Sequence, residues 1–247
     1  VLEKKERSRR DPMNSVPERA LVICAHPDDL DFGCCGTVAL WRRAGAQVAY
    51  VICTNGDKGS DDLRIAPQEL ARMRKEEQRK AALTVGVEEV LFLEFPDGEL
   101  ENSLDLRRQL VGAIRRVRPQ VVLCQDPANR TFENVYVAHR DHRVAGEAAF
   151  DALYPAAGNA RFFPDLLDRG LAPHKVQEVY FFGSHAPNHW VDITSVMDLK
   201  LQALNCHTSQ VAHRESFEAF IRDRFREAGR TAGYAYAEPF RRLPLPP

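Results

Sequence analysis

An imidazole and two carboxylates are packed into one tetrapeptide near the start of the chain, His26-Pro27-Asp28-Asp29. Imidazole and carboxylate together suit zinc and other borderline divalent ions. Two adjacent carboxylates cannot readily both stay charged in a dry cleft without a cation beside them. A metal resolves the conflict: one aspartate coordinates it and the other is left to handle a proton. The competing reading is an Asp-rich helix N-terminus, where carboxylates complement the helix dipole, and the tetrapeptide alone does not separate the two.

A second cluster, His139-Arg140-Asp141-His142, comes much later in the chain. In a helix His139 and His142, three apart, share a face, whereas Asp141 points away from His139. If Asp141 supports His139, the segment must be a loop-to-helix junction. The competing reading is a solvated polar turn, but a histidine pair bracketing an aspartate is harder to dismiss. His26, one of the two aspartates and His142 make a three-ligand site with a position open for water, provided the two segments meet. Such an ion makes water more acidic and polarises a substrate carbonyl.

What must position these residues is legible as alternating runs. Leu21 to Ala25, Val48 to Cys53, Val90 to Leu93 and Val121 to Cys124 read as short apolar strands. Between them Thr37–Arg43, Pro67–Leu83 and Leu104–Val117 read as helices, with Pro67 suited to a first turn. This alternation predicts an α/β fold, a parallel sheet covered on both faces. Further on, Pro127 to Val137 reads as a loop and His142 to Leu153 as a helix. Val176–Phe182 and Trp190–Ile193 read as strands, and Asp198–Asn205 and Ser216–Arg226 as helices. In an open parallel sheet ligands bind beyond the carboxyl ends of the strands. That edge collects His26 to Asp29, Asn55 to Gly59, Phe95 to Gly98 and Gln125-Asp126-Pro127. Turns favour Asp on local grounds too.

With 247 residues, 44% hydrophobic and 28% charged, the chain fits one large domain. A formal net charge of −1 gives no global case for nucleic acid or an anionic membrane as partner. No stretch approaches the length of a transmembrane helix. Residues 1–19, led by a Lys-, Glu- and Arg-rich stretch with no apolar segment behind it, read as a flexible arm rather than a signal peptide. The six cysteines form no CxxC pair and read as reduced thiols of a cytoplasmic protein. Cys34 and Cys35 lie near the proposed site, but the oxygen and nitrogen donors already make a complete ligand set.

The string Ala25-His26-Pro27-Asp28-Asp29, with Gly33 and Gly36-Thr37 after it, resembles the signature of the LmbE-like (PIG-L) N-acetylglucosaminyl deacetylase family, and His139-Arg140-Asp141-His142 resembles its second motif. Thr54 to Gly59, Arg74 to Glu77, Pro96-Asp97-Gly98 and His207-Thr208-Ser209-Gln210 extend the likeness from about Ala20 to near the C-terminus. The resemblance implies a three-layer Rossmann-like fold over residues 20–247 with a mostly parallel sheet. It implies hydrolysis of an amide C–N bond that removes an acyl, typically acetyl, group from an amino-sugar-containing small molecule or glycoconjugate. It assigns His26, Asp29 and His142 to the metal, Asp28 as general base and then acid, and His139 to the tetrahedral oxyanion, with Asp141 orienting it. His139 on this view works best as an imidazolium. Arg74, Asp97 and Asp57 resemble substrate-binding positions, the alternative for Arg74 being helix-surface ion pairs. Zinc is the expected ion; iron, cobalt or manganese fit the same donors. Homo-oligomeric assembly is compatible with this reading. Two departures from the family pattern, Leu30 and Cys35, touch the shape of the first loop and not the ligands.

Three rival readings compete with this one. A dinucleotide-binding enzyme is disfavoured because Gly33 and Gly36 do not make GxGxxG and paired aspartates repel a pyrophosphate. A non-catalytic metal- or sugar-binding protein has no use for a free Asp28 or for His139. An amidase acting on a larger amino-sugar thiol conjugate is the runner-up. The loops Asp61 to Ala66, Phe132 to Val137 and Gly183 to His189 are the expected sources of substrate-specific contacts.

Overall fold

Alternate residues of the first strand feed two different cores, because side chains along a strand point to opposite faces. From β1 (Arg19–Cys24), Ala20, Val22 and Cys24 join one buried cluster, and Leu21 and Ile23 join the other. This two-sided burial is why the run is continuously apolar. The computed structural model describes residues 16–132, 134–212 and 215–246. Residues 1–15, most of the expected arm, lie outside the described residues.

The strands β2 (Gln47–Thr54), β3 (Glu89–Phe95), β4 (Val121–Gln125), β5 (Glu178–Phe182), β6 (His189–Asp192) and β7 (Ala237–Pro244) complete a seven-stranded sheet of order β3-β2-β1-β4-β5-β7-β6. Pairings among β1 to β5 are parallel, while β7 runs antiparallel to both β5 and β6. The helices are α1 (Asp29–Gly33), α2 (Cys35–Arg43), α3 (Pro67–Thr84), α4 (Leu104–Val117), α5 (Arg140–Asp151), α6 (Asp165–Asp168), α7 (Met197–Asn205), α8 (Thr208–Val211) and α9 (Phe217–Ala232). Val38 and Trp41 of α2, Ala81 of α3, Leu201 of α7 and Ile221 of α9 pack on one face of the sheet. Leu110 and Ile114 of α4 and Ala145 and Ala149 of α5 pack on the other. The result is the three-layer, mostly parallel α/β fold the sequence predicts. Chain order reverses between β1 and β4, the crevice where such sheets bind ligands.

The antiparallel pairings of this mostly parallel sheet all come from one strand, β7. Strand β7 carries Pro239 and Pro244 and does not read as a strand. It forms because residues 237–240 pair only with β6 and residues 241–244 only with β5. Each half is therefore an edge, where a missing N–H is tolerated.

Strand β7 also delivers Glu238 into the interior. Its carboxylate accepts from the Gly36 and Thr37 N–H groups (2.9 and 2.7 Å) and the Thr37 hydroxyl (2.6 Å), at the start of α2. Lys200 of α7 pairs with it at 2.8 Å and also donates to the Asp31 carbonyl at 2.6 Å, and both charged side chains are wholly buried. Removing one partner leaves an uncompensated buried charge, which costs about 3–5 kcal/mol. Glu238→Ala is expected to lower the unfolding free energy by that amount, measured by denaturant titration. Glu238→Gln, which keeps an acceptor for the α2 N–H groups, should cost less. A loss below about 1 kcal/mol for Glu238→Ala would contradict the role given to this pair.

All six cysteines are free thiols, five of them buried. Among the described residues no helix is long and apolar enough to cross a membrane.

Candidate active site

Past β1 the chain turns sharply and starts α1 within a few residues. Ala25 N–H donates to the Gln125 side chain at 3.1 Å, and Asp28 N–H donates to the Gln78 side chain at 2.8 Å. The Asp28 carbonyl accepts from Asp31 and Phe32 N–H, opening the helix. Asp28 itself sits at φ 100°, a conformation an L residue rarely adopts and that costs roughly 1–3 kcal/mol. Arg74 holds the turn from α3: it donates to the carbonyls of Pro27 (2.7 Å) and Gly56 (3.0 Å) and lies 3.3 Å from Asp28 Oδ2. The second motif is the loop-to-helix junction expected of it. His139 is the N-cap of α5, its Nδ1 accepting from Asp141 N–H at 3.2 Å.

The two motifs meet at the crevice. His26 Nδ1 lies 3.2 Å from His142 Nε2 and 3.2 Å from Asp29 Oδ2, and His142 Nε2 lies 3.0 Å from Asp29 Oδ1. The His139 ring stands edge-on to His26, with centroids 4.9 Å apart. On its far side His26 Nε2 faces Asp97 Oδ1 at 2.9 Å and Asp141 Oδ2 at 3.3 Å, though neither oxygen is aligned for a good hydrogen bond. Asp141 Oδ2 also accepts from Gly98 N–H at 2.7 Å.

All nine residues singled out in the sequence thus fall in one neighbourhood, but several are occupied differently from expectation. Asp141 meets His139 through its backbone N–H, while its carboxylate is turned to Gly98 and His26. Arg74 is 4% exposed and tied to the backbone of two loops, neither a helix-surface residue nor free toward solvent. Asp97, also buried, has its carboxylate between His26 and Arg74, the latter at 3.7 Å. Asp57 Oδ1 accepts from Asp97 N–H at 3.2 Å and so orders that turn. Gln78 is not singled out by the sequence, and Gln125 only as part of the edge that follows the fourth strand. No local pattern marks them, because each acts across 50 or more residues of sequence.

The charges shift one another strongly. Burial works against a charged His26, but Asp29, Asp141 and Asp97 outweigh it and hold the imidazole well above its ordinary value. Burial likewise works against ionised Asp29, yet His142 and His26 hold it well below the usual carboxylate range. Asp28 is raised, by burial first and by Asp29, with Arg74 pulling the other way. His139 is lowered, by burial and then by His26 and His142.

Whether a divalent ion fits can be tested on the donor atoms. Tetrahedral bonds of ~2.0–2.1 Å separate neighbouring ligand atoms by about 3.3 Å. His142 Nε2 already stands 3.2 Å from His26 Nδ1 and 3.0 Å from Asp29 Oδ1, and the other Asp29 oxygen, Oδ2, stands 3.2 Å from His26 Nδ1. Two imidazole nitrogens and a carboxylate converging this closely need a shared proton or a cation between them. The donor set fits the ion.

A protein-family description, PIG-L: GlcNAc-PI de-N-acetylase, matches residues 21–153. The chain belongs to this PIG-L family. A diacetylchitobiose deacetylase of Thermococcus kodakarensis is 36% identical over 246 residues, covering 99% of this chain and 90% of that one. Among solved structures, N,N'-diacetylchitobiose deacetylase from Pyrococcus horikoshii, complexed with its inhibitor MPG, superposes with a TM-score of 0.85 at 32% identity, covering 92% of this chain and 84% of that one. A 4-oxalmesaconate hydratase of Pseudomonas putida is also similar, 28% identical over 94% of this chain and 88% of its own. Family membership therefore does not by itself choose the reaction.

Proposed function

We propose that the protein is a zinc-dependent N-deacetylase acting on an N-acetylglucosamine-containing small molecule, with His26, Asp29 and His142 as the residues that would hold the ion. The observation that carries this reading is the donor triangle of those three side chains with a second carboxylate, Asp28, held beside it. The relatives named for deacetylation of an acetylated amino sugar support it. The free thiols are consistent with a cytoplasmic location.

A divalent ion held by these donors supplies Lewis acidity, making water easier to deprotonate and the amide carbonyl more electrophilic. Asp28 takes the proton of the attacking water and returns it to the departing amine nitrogen, without which the C–N bond does not break readily. His139 holds the developing oxyanion. Its Nδ1 accepts from Asp141 N–H, so the proton resides on Nε2, and neutral His139 can donate from there. This neutral form is our reading, beside the imidazolium expected from sequence. Asp97 and Asp141 place negative charge on the Nε2 side of His26, which leaves Nδ1 facing Asp29 and His142. A cavity of about 220 Å³ lined by Asn129, Thr131, Val137, Ser184, His185 and Arg224 draws on two of the three loops expected to contact substrate.

Acetate release from diacetylchitobiose and from N-acetylglucosamine, beside hydration of 4-oxalmesaconate, tests the reading. Deacetylation without hydration is expected; hydration alone would overturn it.

Arg74 separates positioning from substrate contact. Arg74→Ala loses the grip on Pro27, Gly56 and Asp28, and misplacing a catalytic group by about 1 Å costs on the order of 10²-fold. We expect kcat to fall by about that factor with KM changed only a few-fold. Lys, which cannot span two carbonyls with a planar fork, should rescue poorly. A rise confined to KM would instead make Arg74 a sugar contact.

A further inference from the structure

We infer that Gln125 is a positioning residue that sets the two halves of the metal centre against each other. This inference rests on His26, Asp29 and His142 being the ligands. Gln125 is the last residue of β4 and 5% exposed. Both ends of its amide are engaged: Oε1 accepts from Ala25 N–H at 3.1 Å, and Nε2 donates to Asp29 Oδ2 at 2.8 Å. Asp29 Oδ2 also accepts from His26 N–H at 2.7 Å. With that oxygen twice hydrogen-bonded, the carboxylate cannot swing, and Oδ1 is left facing His142 Nε2 at 3.0 Å.

The backbone of the same residue registers the other half of the site. A Cβ on Gly146 of α5 would stand 2.3 Å from the Gln125 carbonyl oxygen. The helix that carries His142 is therefore seated directly on residue 125, a contact only glycine allows. One residue thus touches the end of β1, the carboxylate of Asp29 and the helix bearing His142. The amide is suited to this place because it is neutral, offers one acceptor and one donor, and adds no charge to a crevice already holding Asp28, Asp29, Asp97 and Asp141.

The two contacts of the side chain can be separated. Gln125→Glu keeps an acceptor for Ala25 N–H but loses the donor to Asp29 and sets a carboxylate against Oδ2. Gln125→Met loses both. Zinc affinity is measured by competition with a chromophoric chelator, and the melting temperature of the metal-stripped proteins is measured alongside. Loss of an orienting partner of a metal ligand costs 10–100-fold in affinity, and both variants are expected to weaken zinc binding by that factor. Both stripped variants should melt below wild type, Gln125→Glu because it sets a carboxylate against Asp29 Oδ2 and Gln125→Met because it leaves Ala25 N–H unpaired. Zinc affinity within twofold of wild type in either folded variant overturns the inference. Asp29→Ala is the control for the underlying reading: if it binds zinc as wild type does, the ligand assignment fails whatever Gln125 does.

Discussion

Asp28→Asn is expected to retain zinc and the fold and to lose about 10²–10⁴-fold in kcat, the range over which a positioned acid–base group contributes. The substitution is nearly isosteric. An asparagine oxygen can still accept from Arg74, which lies 3.3 Å from Asp28 Oδ2, and the backbone N–H bond to Gln78 is untouched. What disappears is the ability to take a proton from water and carry it to the amine nitrogen. The structure makes the role specific to this aspartate. Asp29 has both carboxylate oxygens engaged, by His26, Gln125 and His142, whereas the carboxylate of Asp28 meets only Arg74 among the described residues. The residue also sits at a positive φ, a cost a non-glycine bears when its side chain must point one way. Initial rates with diacetylchitobiose at matched zinc occupancy read the effect. Turnover by Asp28→Asn within a few-fold of wild type would remove it from the mechanism.

His142→Ala is expected to abolish tight zinc binding and with it activity. Disturbing an orienting partner of a ligand already costs 10–100-fold in affinity, and deleting one of three protein ligands should exceed that. In wild type, chelation should stop the reaction and added zinc restore it. The loss in the variant should not be a folding defect, because the ring of His142 is half-buried and, among the described residues, its polar and ring contacts are with other groups of the site. Thermal melts separate the two cases. Zinc at a thousandfold excess over Kd stabilises a folded protein by about 4 kcal/mol, which for a chain of this size raises Tm on the order of 10 °C. Wild type should show that rise. His142→Ala should melt like stripped wild type and stay there when zinc is added. Full zinc occupancy in the variant would strike His142 from the ligand set.

Periodic elements were legible from the chain alone because local physics decides them. The helix read at Leu104–Val117 is α4 residue for residue, capped by the Ser103 hydroxyl on Leu106 N–H. The one read at Pro67–Leu83 is α3 less its last residue. The five parallel strands were found, each shifted by two residues or fewer at either end, because runs buried on both faces are apolar throughout. The ligand-bearing motifs were legible for a related reason: chemistry needs particular residue types, and His26, Asp28, Asp29, His139 and His142 are unusual company in so few positions. What stayed hidden depends on partners far away in sequence. Strand β7 carries two prolines and exists only because β5 and β6 each pair with half of it. Glu238, Gln78 and Gln125 are ordinary polar residues until the fold sets them against Thr37, Asp28 and Asp29. The direction of a buried carboxylate is likewise a tertiary matter. Asp141 stands two residues from His139, yet its oxygen faces His26 and Gly98, because the helix start claims its N–H for His139 and its side chain points the other way. Residue types therefore specified the chemistry, and the packing of β1, β4, α3 and α5 around one crevice decided which atom of each residue performs it.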